Sequence, residues 1–120
     1  MHDLILIPTE LERQFLYQSL CGIDRRGDCT DGSKRSVTVE LCGFGLVAAT
    51  ARTAQLIATH HPSRVLLVGI AGTLNPESKV GAAVEFGSVI VDGIGVGFGD
   101  SFQNAATMGW PHWHDPSSSE

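Results

Sequence analysis

Leu4-Ile5-Leu6-Ile7-Pro8-Thr9-Glu10-Leu11-Glu12 is the stretch that decides the fold. Four aliphatic residues in succession leave no side for water. Such a run suits a strand covered on both faces, as in a parallel sheet. Pro8 stops it, because proline offers no amide to a ladder. Thr9 then opens a helix along which Leu11, Phe15, Leu16 and Leu20 recur at helical spacing, with Cys21-Gly22 as its end. A buried strand that passes directly into a helix is the opening of a β–α–β unit.

The same grammar repeats downstream. Ile23 to Arg35 is polar, rich in Asp and Gly, and reads as a loop or a weak edge strand. In Ser36–Leu41, Val37, Val39 and Leu41 alternate with Thr38 and Glu40, the pattern of a half-buried strand. Gly43-Phe44-Gly45 is a turn. Leu46 to His60 is rich in Ala, has apolar residues on most faces, and predicts a well-buried helix that Pro62 ends. Val65-Leu66-Leu67-Val68 is a second all-apolar run, read as a central strand, and it enters the loop Gly69-Ile70-Ala71-Gly72. Val84 to Val91 is another β-rich stretch. Gly93 to Gly99 alternates glycine with other residues, as an irregular strand or a loop approaching a ligand. After Asp100 the pattern weakens into a tail with Trp110 and Trp113. Buried strands alternating with helices predict an α/β protein with an at least partly parallel sheet, in a single domain spanning residues 1–120.

Composition excludes several classes. The 120 residues carry 8 basic and 13 acidic side chains, a formal charge of −5, and no basic cluster larger than Arg25-Arg26 or Lys34-Arg35. Nucleic acid and anionic membrane are therefore poor partners. At 42% hydrophobic and 18% charged the chain is too apolar for disorder. No apolar run approaches the ~18 residues of a membrane span, and the first residues lack a signal-peptide pattern, so the expected location is the cytoplasm. Cys21, Cys29 and Cys42 are an odd set without a C-x-x-C, which reads as reduced thiols.

Open α/β sheets bind ligands beyond the carboxyl ends of their strands. That rule selects Pro8–Glu12, Gly43–Gly45 and Gly69–Gly72. Glu12 carries two readings. Thr9-x-x-Glu12 is a capping box, with the helix dipole favouring a first-turn carboxylate. Alternatively Glu12 holds or deprotonates a water, with a raised pKa at the mouth of an apolar strand. Gly43-x-Gly45 is a turn or a phosphate cradle, but is too short for a dinucleotide fingerprint and lacks a P-loop Lys. Gly69-x-Ala71-Gly72 is a turn or a close approach to ligand. His60-His61 suits a helix carboxyl terminus. His112-x-His114-Asp115 has metal-ligand residue types but sits in a polar tail, so no metal site and no cofactor are expected.

Taken together, three segments resemble the nucleoside phosphorylase and nucleosidase family. Leu4–Glu12 is similar to the opening strand and helix of the methylthioadenosine/S-adenosylhomocysteine nucleosidases and futalosine hydrolases. Cys42-Gly43-Phe44-Gly45-Leu46-Val47-Ala48-Ala49 resembles their G-x-G-x-x-x-A-A turn, and Val65–Gly72 their central strand and G-[S/I]-A-G loop. The likeness runs to about Trp110. Ile70 and the stretch Val96–Phe102 are closer to futalosine hydrolases. The resemblance implies a three-layer α/β fold, a mixed, mostly parallel central sheet flanked by helices, in a homo-oligomer. It implies hydrolysis of the N-glycosidic bond of a purine nucleoside, futalosine-like or methylthioadenosine-like. Glu12 takes the place of the water-activating glutamate. Thr9 and Phe44 fall beside the ribose and its 5′ substituent, and Ile70, Ala71 and Gly72 where backbone meets base and sugar. Two departures stand out: no basic phosphate loop follows Pro8, which favours water over phosphate, and the family's Met-Glu and Ser-Asp motifs of the second half are absent. The chain therefore reads as a truncated, amino-terminal portion of that fold. The alternatives are a phosphate-dependent phosphorylase and a non-catalytic nucleoside-binding or assembly module.

Overall fold

A computed structural model describes residues 1–19 and 36–110. Three strands, β1 (His2–Ile7), β2 (Ser36–Leu41) and β3 (Arg64–Leu67), form an all-parallel sheet in the order β2-β1-β3. Helix α1 (Glu10–Ser19) follows β1, and α2 (Leu46–His60) joins β2 to β3. The chain divides into two compact units, residues 1–76 and 77–120, and the sheet and both helices belong to the first.

The all-apolar run after Asp3 becomes the middle strand, as a run covered on both faces should. Leu4, Leu6 and Ile7 are buried, and Ile5 half-buried. Register sets Leu4 beside Thr38 and Val65, and Ile5 beside Val39 and Leu66. Leu4 and Leu6 share one face with Cys42, and there Leu56 and Ala49 of α2 close the core. The opposite face carries Ile7 and Val68, and residues of α1 lie beside them.

Polar contacts fix the amino-terminal rim. Asp3, 4% exposed, accepts two hydrogen bonds from Arg64, at 3.3 Å from Nε and 2.6 Å from Nη2. This forked pairing ties the starts of β1 and β3. The His2 ring lies 2.9 Å from Thr38 Oγ1 on β2 and 3.2 Å from the His60 carbonyl of α2. Glu40 lies 3.7 Å from both Arg52 and His60, adding a polar fringe along α2.

Helix α2 opens at Gly45, whose φ of 88° suits a residue without Cβ. It closes at His61, which adopts the left-handed conformation and donates its amide to the Ile57 carbonyl, just before Pro62.

Several expectations need correction. Helix α2 is not well buried: Leu56 alone is fully enclosed, and Leu46 and Val47 are exposed. Alanine suits a helix whether or not it is covered, so an Ala-rich pattern overstates burial. Among the described residues Val65–Val68 does not supply the central strand. β3 is an edge strand of this sheet, with Leu67 69% exposed, and β1 occupies the centre. Residues 84–91 form no strand, because an extended segment becomes one only when a partner takes its amides and carbonyls. Among the described residues the three-stranded sheet is parallel throughout, and the antiparallel pairing lies in a short ribbon of the second unit.

That ribbon pairs β4 (Gly95–Val96) with β5 (Gln103–Asn104) around a 3₁₀ turn at Gly99–Ser101. Asn104 Oδ1 accepts from the Thr107 amide at 2.8 Å and its hydroxyl at 2.9 Å, and Ala105 is buried. No helix among the described residues is long and apolar enough to cross a membrane. Leu20, the expected helix end at Cys21-Gly22, Cys29 and the Ile23–Arg35 stretch lie outside the described residues, as do His112, Trp113, His114 and Asp115.

The strand order predicts a contrast in stability. Leu4→Ala removes a fully enclosed side chain and should cost about 2–5 kcal/mol in urea unfolding. Leu67→Ala, at the open edge, should cost less than ~1 kcal/mol. Equal losses would show that β3 is packed as deeply as β1.

Candidate functional site

Parallel pairing on both sides of β1 brings three chain segments out of the sheet at one rim. The ladder continues one residue past the strands: the Cys42 amide donates to the Ile7 carbonyl and the Val68 amide to the Leu6 carbonyl, each at 2.9 Å. Beyond that point β1 turns at Pro8 into α1, β2 enters Gly43-Phe44-Gly45, and β3 enters Gly69-Ile70.

Glu12 is built into this rim by the first turn of α1. Thr9 caps the helix. Its carbonyl accepts from the Arg13 amide at 3.1 Å, and its hydroxyl oxygen accepts from the Glu12 amide at 3.3 Å. The cap folds the Glu12 side chain back, so that the Thr9 hydroxyl donates to Oε2 at 2.5 Å. The second oxygen reaches across to the turn after β3, where the Ile70 amide donates to Oε1 at 2.9 Å. The partner of the capping residue and the candidate base are thus one side chain, Glu12, in one conformation.

These donors decide the electrostatics. The Thr9 hydroxyl first, then the Ile70 amide, hold the Glu12 carboxyl below the ordinary value of 4.5, against a smaller opposing effect of desolvation. The raised pKa expected from an apolar surrounding is therefore overturned: direct hydrogen bonds to the charged form outweigh desolvation at a site still open to solvent. Each carboxylate oxygen retains a further lone pair for a water or hydroxyl. Cys42, buried at the end of β2, feels the same charge. Burial pushes its thiol up and the Glu12 carboxylate adds to the shift, so it stays a neutral thiol.

An open cavity of about 230 Å³ lies at the rim, lined by Ile7, Glu12, Phe15, Leu16, Val68, Gly69 and Ile70. Its wall is aliphatic and aromatic with a single carboxylate. Of the residues picked out in the sequence, Thr9, Glu12 and Ile70 are brought together by direct hydrogen bonds. Phe44, Ala71 and Gly72 are not part of the cavity; all three are exposed, Phe44 at 85%. Sequence reasoning misses Phe15 and Leu16 as cavity walls, taking them only as the apolar stripe of a helix. It selects Gly69 as part of a turn or an approach to ligand, but not as a neighbour of Glu12, where a Cβ would lie 3.0 Å from Oε1. Among the described residues no group of three or more His, Cys, Asp or Glu side chains is placed to hold a metal ion.

Comparison with known proteins gives no significant match, whether with family models, curated proteins or solved structures.

The Thr9 and Ile70 contacts predict a pH signature. A carboxyl whose folded pKa is lowered stabilises the fold fully above its unfolded value, and the contribution is lost as pH falls through the folded value. Stability from chemical unfolding should therefore decline as pH drops below 4.5, and Glu12→Gln should flatten part of that decline. In ¹³C NMR titration, Thr9→Val should raise the Glu12 midpoint. An unchanged midpoint would rule out the hydroxyl as its main cause.

Proposed function

We propose that this chain carries the water-activating side of a purine-nucleoside hydrolase site, acting on the N-glycosidic bond of a futalosine-like or methylthioadenosine-like substrate. The observation that carries this reading is the joining of Glu12, after the first strand, to the Ile70 amide, after the third, at one rim. Two segments that the family likeness assigns to one pocket therefore meet.

Cleavage of an N-glycosidic bond builds positive charge on the ribose ring while the base departs. The attacking water needs to be oriented and only partly deprotonated as that charge forms, much as in glycoside hydrolysis. A carboxylate held ionised by Thr9 and Ile70 suits this chemistry. It stays negative at neutral pH, faces the developing cation, and keeps a lone pair for the water. Thr9 and Ile70 fix its direction, and the aliphatic wall of Ile7 and Val68 limits competing solvent. Phe44, Ala71 and Gly72 remain candidates for contact with substrate, in an arrangement that closes over it.

On this reading the sheet is part of a three-layer domain of which this chain is the amino-terminal portion. Helix α2 covers the Leu4–Leu6 face, and α1 lies on the face of Ile7 and Val68. Exposed apolar residues such as Leu67 and Val47 are then surfaces for further strands and helices of the domain or for a second copy in a homo-oligomer.

The test is to incubate the protein with methylthioadenosine and with futalosine, follow free base by chromatography, and follow ¹³C-labelled Glu12 by NMR. A nucleoside-dependent shift of the Glu12 carboxyl is expected, with base release reduced about 10²- to 10⁴-fold in Glu12→Gln. Phosphate-dependent appearance of a sugar phosphate would assign a phosphorylase instead. Binding without release would assign a nucleoside-binding module, and the absence of any shift at saturating nucleoside would overturn the reading.

A further inference from the structure

The geometry points to Gly69 as a positioning residue: its bare Cα leaves the gap through which the Glu12 carboxylate reaches the Ile70 amide, so the turn after β3 aims that side chain. The catalytic meaning of this aim rests on the hydrolase reading, but the geometric claim stands without it.

A Cβ at residue 69 would stand 3.0 Å from Glu12 Oε1, 3.3 Å from Pro8 Cγ and 3.4 Å from Pro8 Cδ. Those neighbours differ in what they can yield. The Pro8 ring is fixed to the backbone directly after the buried Ile7. Glu12 ends in a carboxylate on a rotatable stem, so an added methyl displaces the carboxylate before it displaces Pro8. Gly69 is not among the glycines with positive φ. The need for glycine is therefore not conformational, and alanine fits the backbone. The requirement is for space on the side facing Glu12.

The 2.9 Å bond from the Ile70 amide to Oε1 is the contact such a methyl would stretch, since Oε1 must give way by a few tenths of an ångström. The bond from the Thr9 hydroxyl to Oε2 lies within α1 and its cap, so it can follow the side chain. Gly69→Ala is thus expected to loosen the hold of the turn after β3 on Glu12 without removing it from its own helix. Among the described residues, Cys42, at the end of β2, is a titratable group on another element that feels its charge. Glu10 and Arg13 on α1 pair with each other at 2.6 Å.

The experiment follows the Ile70 amide and the ¹³C-labelled Glu12 carboxyl together through a pH titration. In the unaltered chain the Ile70 amide should shift with the Glu12 midpoint. In Gly69→Ala that shift should shrink and the Glu12 midpoint should rise, while the β1 and β2 amides keep their positions. An Ile70 amide that still titrates with an unmoved Glu12 midpoint would overturn the proposal. If Gly69→Ala fails to fold, the double variant Gly69→Ala/Glu12→Ala decides. Recovery of the native amide spectrum identifies the Glu12 carboxylate as the group that needs the gap, and continued unfolding shows that the gap serves something else. Nucleoside binding plays no part in these readouts. Coupled titration in a chain that binds no nucleoside would sink the hydrolase reading and leave the role of Gly69 intact.

Discussion

Two carboxylates hold the edge strand to the centre of the sheet, one at each end. At the start of β3, Asp3 grips Arg64; beyond its finish, Glu12 takes the amide of Ile70. Between them run the backbone bonds of a strand only four residues long. Parallel pairing is slightly weaker per residue than antiparallel pairing, and so short a strand has few bonds to contribute. The side-chain ties at its ends therefore matter more than they would for a long strand. The two ties differ in kind. Asp3 is enclosed and accepts a forked pair of bonds from Arg64, so losing the arginine would take a counter-charge from a buried carboxylate. Glu12 sits at a solvent-open rim, where its neighbours orient it more than they shield it.

That division of labour explains how a structural cap becomes a candidate catalytic group. A helix needs acceptors for its first amides, and Thr9 answers that need in the ordinary way. The reciprocal partner, three residues on, is normally spent on the cap. Here it is spent only in part, because the parallel register delivers the turn after β3 to the same level. One oxygen serves the helix and the other serves the neighbouring strand.

Much of this is legible in the sequence. The uninterrupted run Leu4–Ile7 announces a covered strand, Thr9-x-x-Glu12 announces the cap, and the rule that ligands gather beyond strand ends selects the segments found at one rim. What escapes is relational. An apolar run alone cannot say whether its strand lies at the middle or the edge, so Val65–Val68 reads as central when it is not. Alanine-rich periodicity cannot distinguish a covered helix from a tolerated one, so the burial of α2 is overstated. Val84–Val91 has the residues of a strand, but a strand exists only through its partner. At the site, the sequence supplies Glu12 and Ile70 but not the bond between them. The lowered pKa follows from that bond and cannot be inferred from apolar neighbours. Phe44, Ala71 and Gly72 sit in the expected loops, yet a position in a loop does not fix where the loop turns.

The His2 imidazole fastens three elements at the rim opposite Glu12. A carbonyl oxygen only accepts, so the ring nitrogen facing His60 must carry its hydrogen. The other ring nitrogen lies 2.9 Å from the Thr38 hydroxyl, so one side chain of β1 reaches both β2 and the end of α2. At the far rim the fastening is a carboxylate, and a protonated Glu12 accepts less well from both of its donors. Acid therefore slackens the strands from the end where the candidate site lies.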